Sequence, residues 1–162
     1  MVVSSHQKTI YIRRMDISPI ATWHKVVEQK DFELLESLID QHCVFYSPIV
    51  FKPQEGKRLT SMYLSAAFEM FKEANSFNYV KEIAENQMAV LEFESEIDGI
   101  VINGIDMITW NDKGLITEFK VMIRPLQAID KIKEKMLEQL SNITFFDKLK
   151  LKSGLLIDQL KK

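Results

Sequence analysis

The sequence predicts an α+β fold in which three N-terminal helices pack on one face of a curved, mostly antiparallel sheet and an amphipathic helical tail follows. Three observations carry this. Helical spacing and strand-like runs follow one another as ααβα up to Asn75, and four strand-like segments come next. Asp98-Gly99 and Asn111-Asp112-Lys113-Gly114 supply the turn chemistry that joins neighbouring strands as hairpins. In the last hairpin, period-two spacing separates apolar from charged side chains, so one face of that sheet is buried.

Met1 to Ile17 hold only a short apolar patch, Thr9 to Ile12, ahead of Arg13-Arg14, and are read as a partly ordered arm. Ser18-Pro19 is a helix start, with Ile20, Trp23, Val26 and Val27 forming an apolar stripe up to about Gln29. Asp31 caps a second helix carrying Phe32, Leu34, Leu35, Leu38 and Ile39. The Val, Phe, Tyr and Ile content of 42–51 predicts a strand bent or ended at Pro48, with Cys43, Phe45 and Ser47 on one side. After a polar loop over 52–58, the third helix runs from Leu59 to Ala74 through Met62, Tyr63, Ala66, Ala67, Met70 and Phe71.

Strands over Phe77 to Ile83 and Met88 to Ile97 meet at Glu85-Asn86-Gln87. In the closing hairpin, Asp106, Ile108 and Trp110 share a face of the first arm, Ile105 to Trp110. On the second arm, Leu115 to Ile123, the residues Phe119, Val121 and Ile123 oppose Glu118, Lys120 and Arg124. Past Pro125 the helical spacing returns at Ile129, Ile132, Met136, Leu140 and Ile143. The chain is therefore divided into an arm at 1–17, one domain at 18–125 and a helical extension at 126–162, which is expected to dock on the body or on a partner.

A chain of 162 residues with 46% hydrophobic and 27% charged residues has an ordinary globular composition and can enclose a core and a cavity. The net charge of -2 gives no general attraction to nucleic acid, and neither a Gly-rich phosphate loop nor zinc-ligand spacing is present, so no nucleic-acid partner, metal or cofactor is expected. Cys43 is the single cysteine and forms no internal disulfide. No apolar run reaches membrane-spanning length, and charges are scattered where a signal peptide needs an apolar core. The expectation is a cytoplasmic protein with no membrane partner.

Asp106 is the leading site residue, because a carboxyl on the face of Ile108, if buried, has its pKa raised by desolvation and becomes a neutral donor or an acid/base near working pH. The competing reading has it capping a sheet edge or pairing with a Lys or Arg. His24, placed at the mouth of such a site, completes an acid/base pair with Asp106, although it and His42 also read as surface residues. Trp23, Phe45, Ser47, Met62, Tyr63, Ile108, Phe119, Val121 and Ile123 are candidate walls of an apolar pocket; the alternative is that they fill the core. Cys43 reads as a small buried hydrophobe, and Ser47 lacks the context of an activated nucleophile.

The helix ending at Lys30-Asp31, the second helix through Leu38, Phe45-Tyr46-Ser47-Pro48, Gly104-Ile105-Asp106 and the Trp110-to-Gly114 turn together resemble the nuclear transport factor 2-like superfamily, particularly its SnoaL-like members, over roughly Pro19 to Arg124. The resemblance implies a cone-shaped sheet roofed by helices. Ketosteroid isomerases, limonene-epoxide hydrolases and polyketide cyclases of this superfamily work inside the cone, whereas other members only bind or assemble. In the isomerases one Asp is the base, and a Tyr and a protonated Asp form the oxyanion hole. By similarity these positions fall at Ser47, at or near Trp23, and at Asp106, so only the last is matched, which argues against isomerase chemistry of that type. The resemblance also implies a homodimer through the outer sheet face, where Lys120, Met122 and Arg124 would meet their symmetry mates or Glu92 and Glu94.

Two functions follow. In the first, the chain binds a small, largely apolar molecule in the cone and acts as an isomerase, hydrolase or cyclase through Asp106. In the second, it is a noncatalytic dimeric interaction module with a filled core.

Overall fold

Local signals start each helix. The computed structural model describes residues 18–72 and 77–147, and of 142–147 only the backbone. The N-terminal arm and the extension past Asp147 lie outside the described residues. Ser18 Oγ accepts the Ile20 amide at 3.3 Å ahead of α1 (Ile20–Gln29), which Lys30 closes in a left-handed conformation at φ 53°. Asp31 caps α2 (Phe32–Leu38) by accepting the Leu34 amide at 2.9 Å.

Ile39 leaves α2 with extended dihedrals, so β1 (Ile39–Tyr46) begins three residues before the expected strand and stops short of Pro48. Of the two expected outcomes at Pro48, a bend or an end, the strand ends: Ser47 Oγ accepts the Ile49 amide at 3.2 Å and turns the chain, leaving Phe51 exposed. The loop that follows contains a two-residue strand, β2 (Gln54–Glu55), paired with β1. Gly56, at φ +96°, then starts α3 (Lys57–Lys72) two residues earlier than the apolar spacing suggests.

The remaining strands form a meander: β3 (Asn78–Glu85), β4 (Met88–Ile97), β5 (Ile100–Trp110) and β6 (Ile116–Arg124). Asn86 and Gln87, and then Asp98 and Gly99, take positive φ, as two-residue hairpins demand. At the third turn Asn111 Oδ1 accepts the Lys113 and Leu115 amides at 3.0 and 3.1 Å, while its Nδ2 donates to Asp40 Oδ2 at 3.1 Å and ties the hairpin to β1. The sheet order is β2-β1-β6-β5-β4-β3, antiparallel except for the β1–β6 pair.

Helices α1 and α3 pack on the concave face, where Trp23 sits between Phe119 and Phe68 at ring distances of 4.9 and 5.8 Å. Helix α4 (Leu126–Asp147) buries Ala128, Ile132, Met136 and Leu140, one face at i, i+4 spacing, against α3, β5 and β6. Beside it Lys131 and Lys135 reach the Asp98 hairpin at 3.4 and 3.9 Å. No helix among the described residues is long and apolar enough to cross a membrane.

Candidate functional site

A cavity of about 700 Å³ opens between the concave face of the sheet and the helices. Asp106 lies in its wall. This residue is on β5, a central strand, and only 6% exposed, so it does not cap a sheet edge, and among the described residues no Lys or Arg pairs with it. The one hydrogen-bond partner of its carboxyl among the described residues is Tyr79 of β3, whose hydroxyl donates to Asp106 Oδ2 at 2.7 Å. The Trp23 indole N–H in turn donates to the Tyr79 hydroxyl at 2.9 Å. Three elements distant in sequence thus meet in one hydrogen-bonded chain.

Burial disfavours the charged carboxylate and raises the Asp106 carboxyl from 3.8 to about 7, although the Tyr79 hydrogen bond pulls it down. The group is thus mainly protonated in mildly acidic solution and close to half ionised at neutrality, where it can both donate and accept a proton. Burial, with the neighbouring Asp106, pushes the Tyr79 phenol well above its ordinary range, so it remains a donor. Cys43 is fully buried and its thiol is lifted to about 11 by desolvation, which keeps it an un-ionised core side chain.

Of the expected wall residues, Trp23, Phe45, Ser47, Tyr63, Phe119, Val121 and Ile123 line the cavity. Met62 and Ile108 do not. Met62, next to the cavity-lining Tyr63 and Leu64, is partly buried against the core, and Ile108, though on the Asp106 face, is fully enclosed where it pairs with Ala89 and Phe119. His24 stands at the wall but does not touch Asp106; its Nε2 is 2.6 Å from Glu82 Oε2, with the two side chains 41% and 37% exposed. The ring of Tyr79 comes between them, meeting His24 edge-on at 5.4 Å.

Sequence reasoning missed Tyr79 as a site residue. A bulge between Tyr79 and Lys81 breaks the alternation of β3, so simple parity groups the tyrosine with outward-facing Lys81 and Ile83. The signal present was the Phe77-Asn78-Tyr79 pair of aromatics, which packs with Phe71 and Phe93 in one cluster. Ile132 and Met136 of α4 also line the cavity. Among the described residues no group of three or more His, Cys, Asp or Glu is placed to hold a metal ion.

No family model matches the chain, and no curated protein matches it. Solved structures do. A steroid delta-isomerase from Pseudomonas aeruginosa is 30% identical, with a TM-score of 0.71 over 78% of this chain and 91% of that one. An uncharacterised bacterial protein with a cystatin-like fold, from Silicibacter pomeroyi, is 25% identical with a TM-score of 0.73, over 86% and 96% of the two chains. A SnoaL-like protein of unknown function from Burkholderia thailandensis shares the fold at 12% identity and a TM-score of 0.55, over 65% of this chain and 92% of that one. Since the isomerase likeness reaches 30% identity and spans nearly all of that protein, the chain belongs to the nuclear transport factor 2-like superfamily, with its SnoaL-like members.

Proposed function

We propose that the chain binds a small, largely apolar molecule in the cone cavity and uses Asp106 as an acid/base group toward an oxygen of that molecule. The observation that carries the reading is a carboxyl poised near neutrality in the wall of an open cavity whose other deep walls are aromatic and aliphatic. The name of the Pseudomonas aeruginosa relative suggests isomerase chemistry, but Ser47, where the resemblance would put a separate base, is engaged in its own turn. Asp106 would therefore both give and take the proton, as a cyclase, a hydrolase or a one-carboxyl isomerase requires. His24 is assigned a supporting role at the mouth, through Tyr79 rather than by direct contact. An open cavity argues against the filled core of a pure interaction module.

The same reading makes the protein a cytoplasmic homodimer through its outer sheet face. Cross-strand rows Lys81–Glu92–Ile105–Met122 and Ile83–Val90–Met107–Lys120 cover that face, with Ile83, Val101 and Met122 exposed at 73%, 60% and 54%. Its charges are mostly paired within the chain, Lys81 with Glu92 at 3.2 Å and Lys120 with Glu118 at 3.3 Å, so apolar contact rather than ion pairing with a symmetry mate would drive association.

The test is a ligand screen by NMR using small apolar ketones, epoxides and esters, repeated on Ala67→Trp, which places a large ring in the cavity wall. Hits lost in that variant, and chemically converted by wild type but not by Asp106→Asn, support the reading. Hits that bind both forms equally, or conversion that survives Asp106→Asn, overturn it.

A further inference from the structure

We propose that Tyr79 and Trp23 are positioning residues acting in series on Asp106: Trp23 orients the Tyr79 hydroxyl, which occupies Oδ2, and so reserves Oδ1 as the one carboxyl oxygen that exchanges a proton with an uncharged oxygen acceptor in the cavity. The inference rests on the acid/base role of Asp106 proposed above and specifies how that role is imposed.

The direction of the chain follows from donor counting. An indole nitrogen can only donate. Trp23 therefore takes an acceptor site on the Tyr79 oxygen, at 2.9 Å, and the single hydroxyl hydrogen of Tyr79 must find another acceptor. Trp23 and Asp106 are the only partners of that hydroxyl among the described residues, so the hydrogen lies on the 2.7 Å line to Oδ2. Turning it away would strand a buried donor, at a cost of about 1–3 kcal/mol. Oδ2 is thereby an acceptor whether Asp106 is protonated or not, and the acid proton resides on Oδ1. That oxygen has no protein partner among the described residues, and Asp106 borders the cavity.

The surroundings favour a neutral acceptor such as a carbonyl, epoxide or ether oxygen. The cavity sides contributed by β6 and α4 are Phe119, Val121, Ile123, Ile132 and Met136, none of which titrates or donates. The ionisable groups that line it besides Asp106 are His24 and Glu28 on α1, Lys30 just after it, Tyr63 and Lys72 on α3, and Tyr79 on β3; of these only Tyr79 bonds to the carboxyl.

The serial arrangement has a signature that simple packing would not produce. In the full-length, ligand-free protein carrying ¹³C at the Asp side-chain carboxyls, the Asp106 midpoint is followed by NMR. Tyr79→Phe keeps the ring and deletes the bond that favours the carboxylate, so the midpoint is expected to rise, by about one unit. Trp23→Phe should raise it less, because Tyr79 remains but loses its orientation. The double variant should match Tyr79→Phe alone, since Trp23 acts only through Tyr79. An unchanged midpoint in Tyr79→Phe, or additive shifts in the double variant, overturns the relay. A wild-type midpoint in the ordinary carboxylate range overturns the acid/base reading itself, so the two failures are distinct. Thermal unfolding of each variant at pH 5 confirms that a folded protein is titrated; should Trp23→Phe not fold, an unmoved Tyr79→Phe midpoint still refutes the proposal and a raised one supports it.

Discussion

Asp106 on β5 lies in register with Leu91 on β4, a carboxyl set opposite a fully buried aliphatic side chain. Among the described residues no charged neighbour offsets ionisation there. The folded protein therefore holds a proton that the unfolded chain releases at its ordinary value of 3.8, until the pH passes about 7. The linked stability is fully present below the lower value and is lost as pH rises through the upper one. A rise of about three units corresponds to about 4 kcal/mol. Urea unfolding is expected to show wild type losing several kcal/mol between pH 4 and pH 8 relative to Asp106→Asn, which keeps an acceptor for Tyr79. Parallel pH dependence of the two proteins would contradict this. Asp106→Leu, by contrast, leaves the Tyr79 hydroxyl without its acceptor and should recover only part of the gain.

Gly104 gives a second prediction. It pairs directly with Phe93, and a Cβ at that position would clash with the outer end of the Phe93 ring. That ring is stacked on Phe77 at 5.1 Å and meets Tyr79 edge-on, so it cannot move without disturbing the support of Tyr79. Gly104→Ala should cost about 1–3 kcal/mol by overpacking. Adding Phe93→Leu should restore much of it in thermal unfolding; a neutral single variant would show that the aromatic cluster yields freely.

His24→Ala should be mild in stability. The pair it makes with Glu82 is about two-fifths exposed on each side, so solvent screening holds its worth to under about 1 kcal/mol. The carboxyl titration of Asp106 should remain in place, because the imidazole contacts Glu82 and the Tyr79 ring and not the carboxyl itself. A shifted Asp106 midpoint in this variant would reveal a direct coupling between the two.

Met122→Glu places a charge in the Lys81–Glu92–Ile105–Met122 row. Light scattering is expected to give a dimer for wild type at micromolar concentration and a monomer for the variant, with the fold intact. A monomeric wild type would remove the outer face as a self-association surface.

Much of this architecture is legible in the sequence because strong local rules and tertiary packing agree. Asp98-Gly99 and the Asn111 turn place the hairpins, Asp31 places α2, and the alternation through Asp106, Ile108 and Trp110 identifies the inward face of β5. The losses occur where a single residue breaks a period. The bulge beside Tyr79 hides the partner of Asp106, and Ser47 ends β1 through a side-chain bond that composition does not foretell. The apolar stripe of α4 is readable, but where it docks is not, since spacing says which side of a helix is buried and nothing about what it is buried against. Ile132 and Met136 as cavity walls, and Ile108 as core, follow from that tertiary choice.

Helix α4 has a consequence for how ligand choice can change. It shares no backbone ladder with the sheet, yet Ile132 and Met136 shape the space in front of Asp106. Trading these two side chains for larger or smaller ones re-cuts the cavity while leaving every hairpin, and the Trp23–Tyr79–Asp106 chain, where it stands. Under the function proposed above, part of the cavity wall and the proton-exchanging chain thus lie on separate segments of the polypeptide, and altering Ile132 and Met136 is expected to change ligand preference without touching that chain.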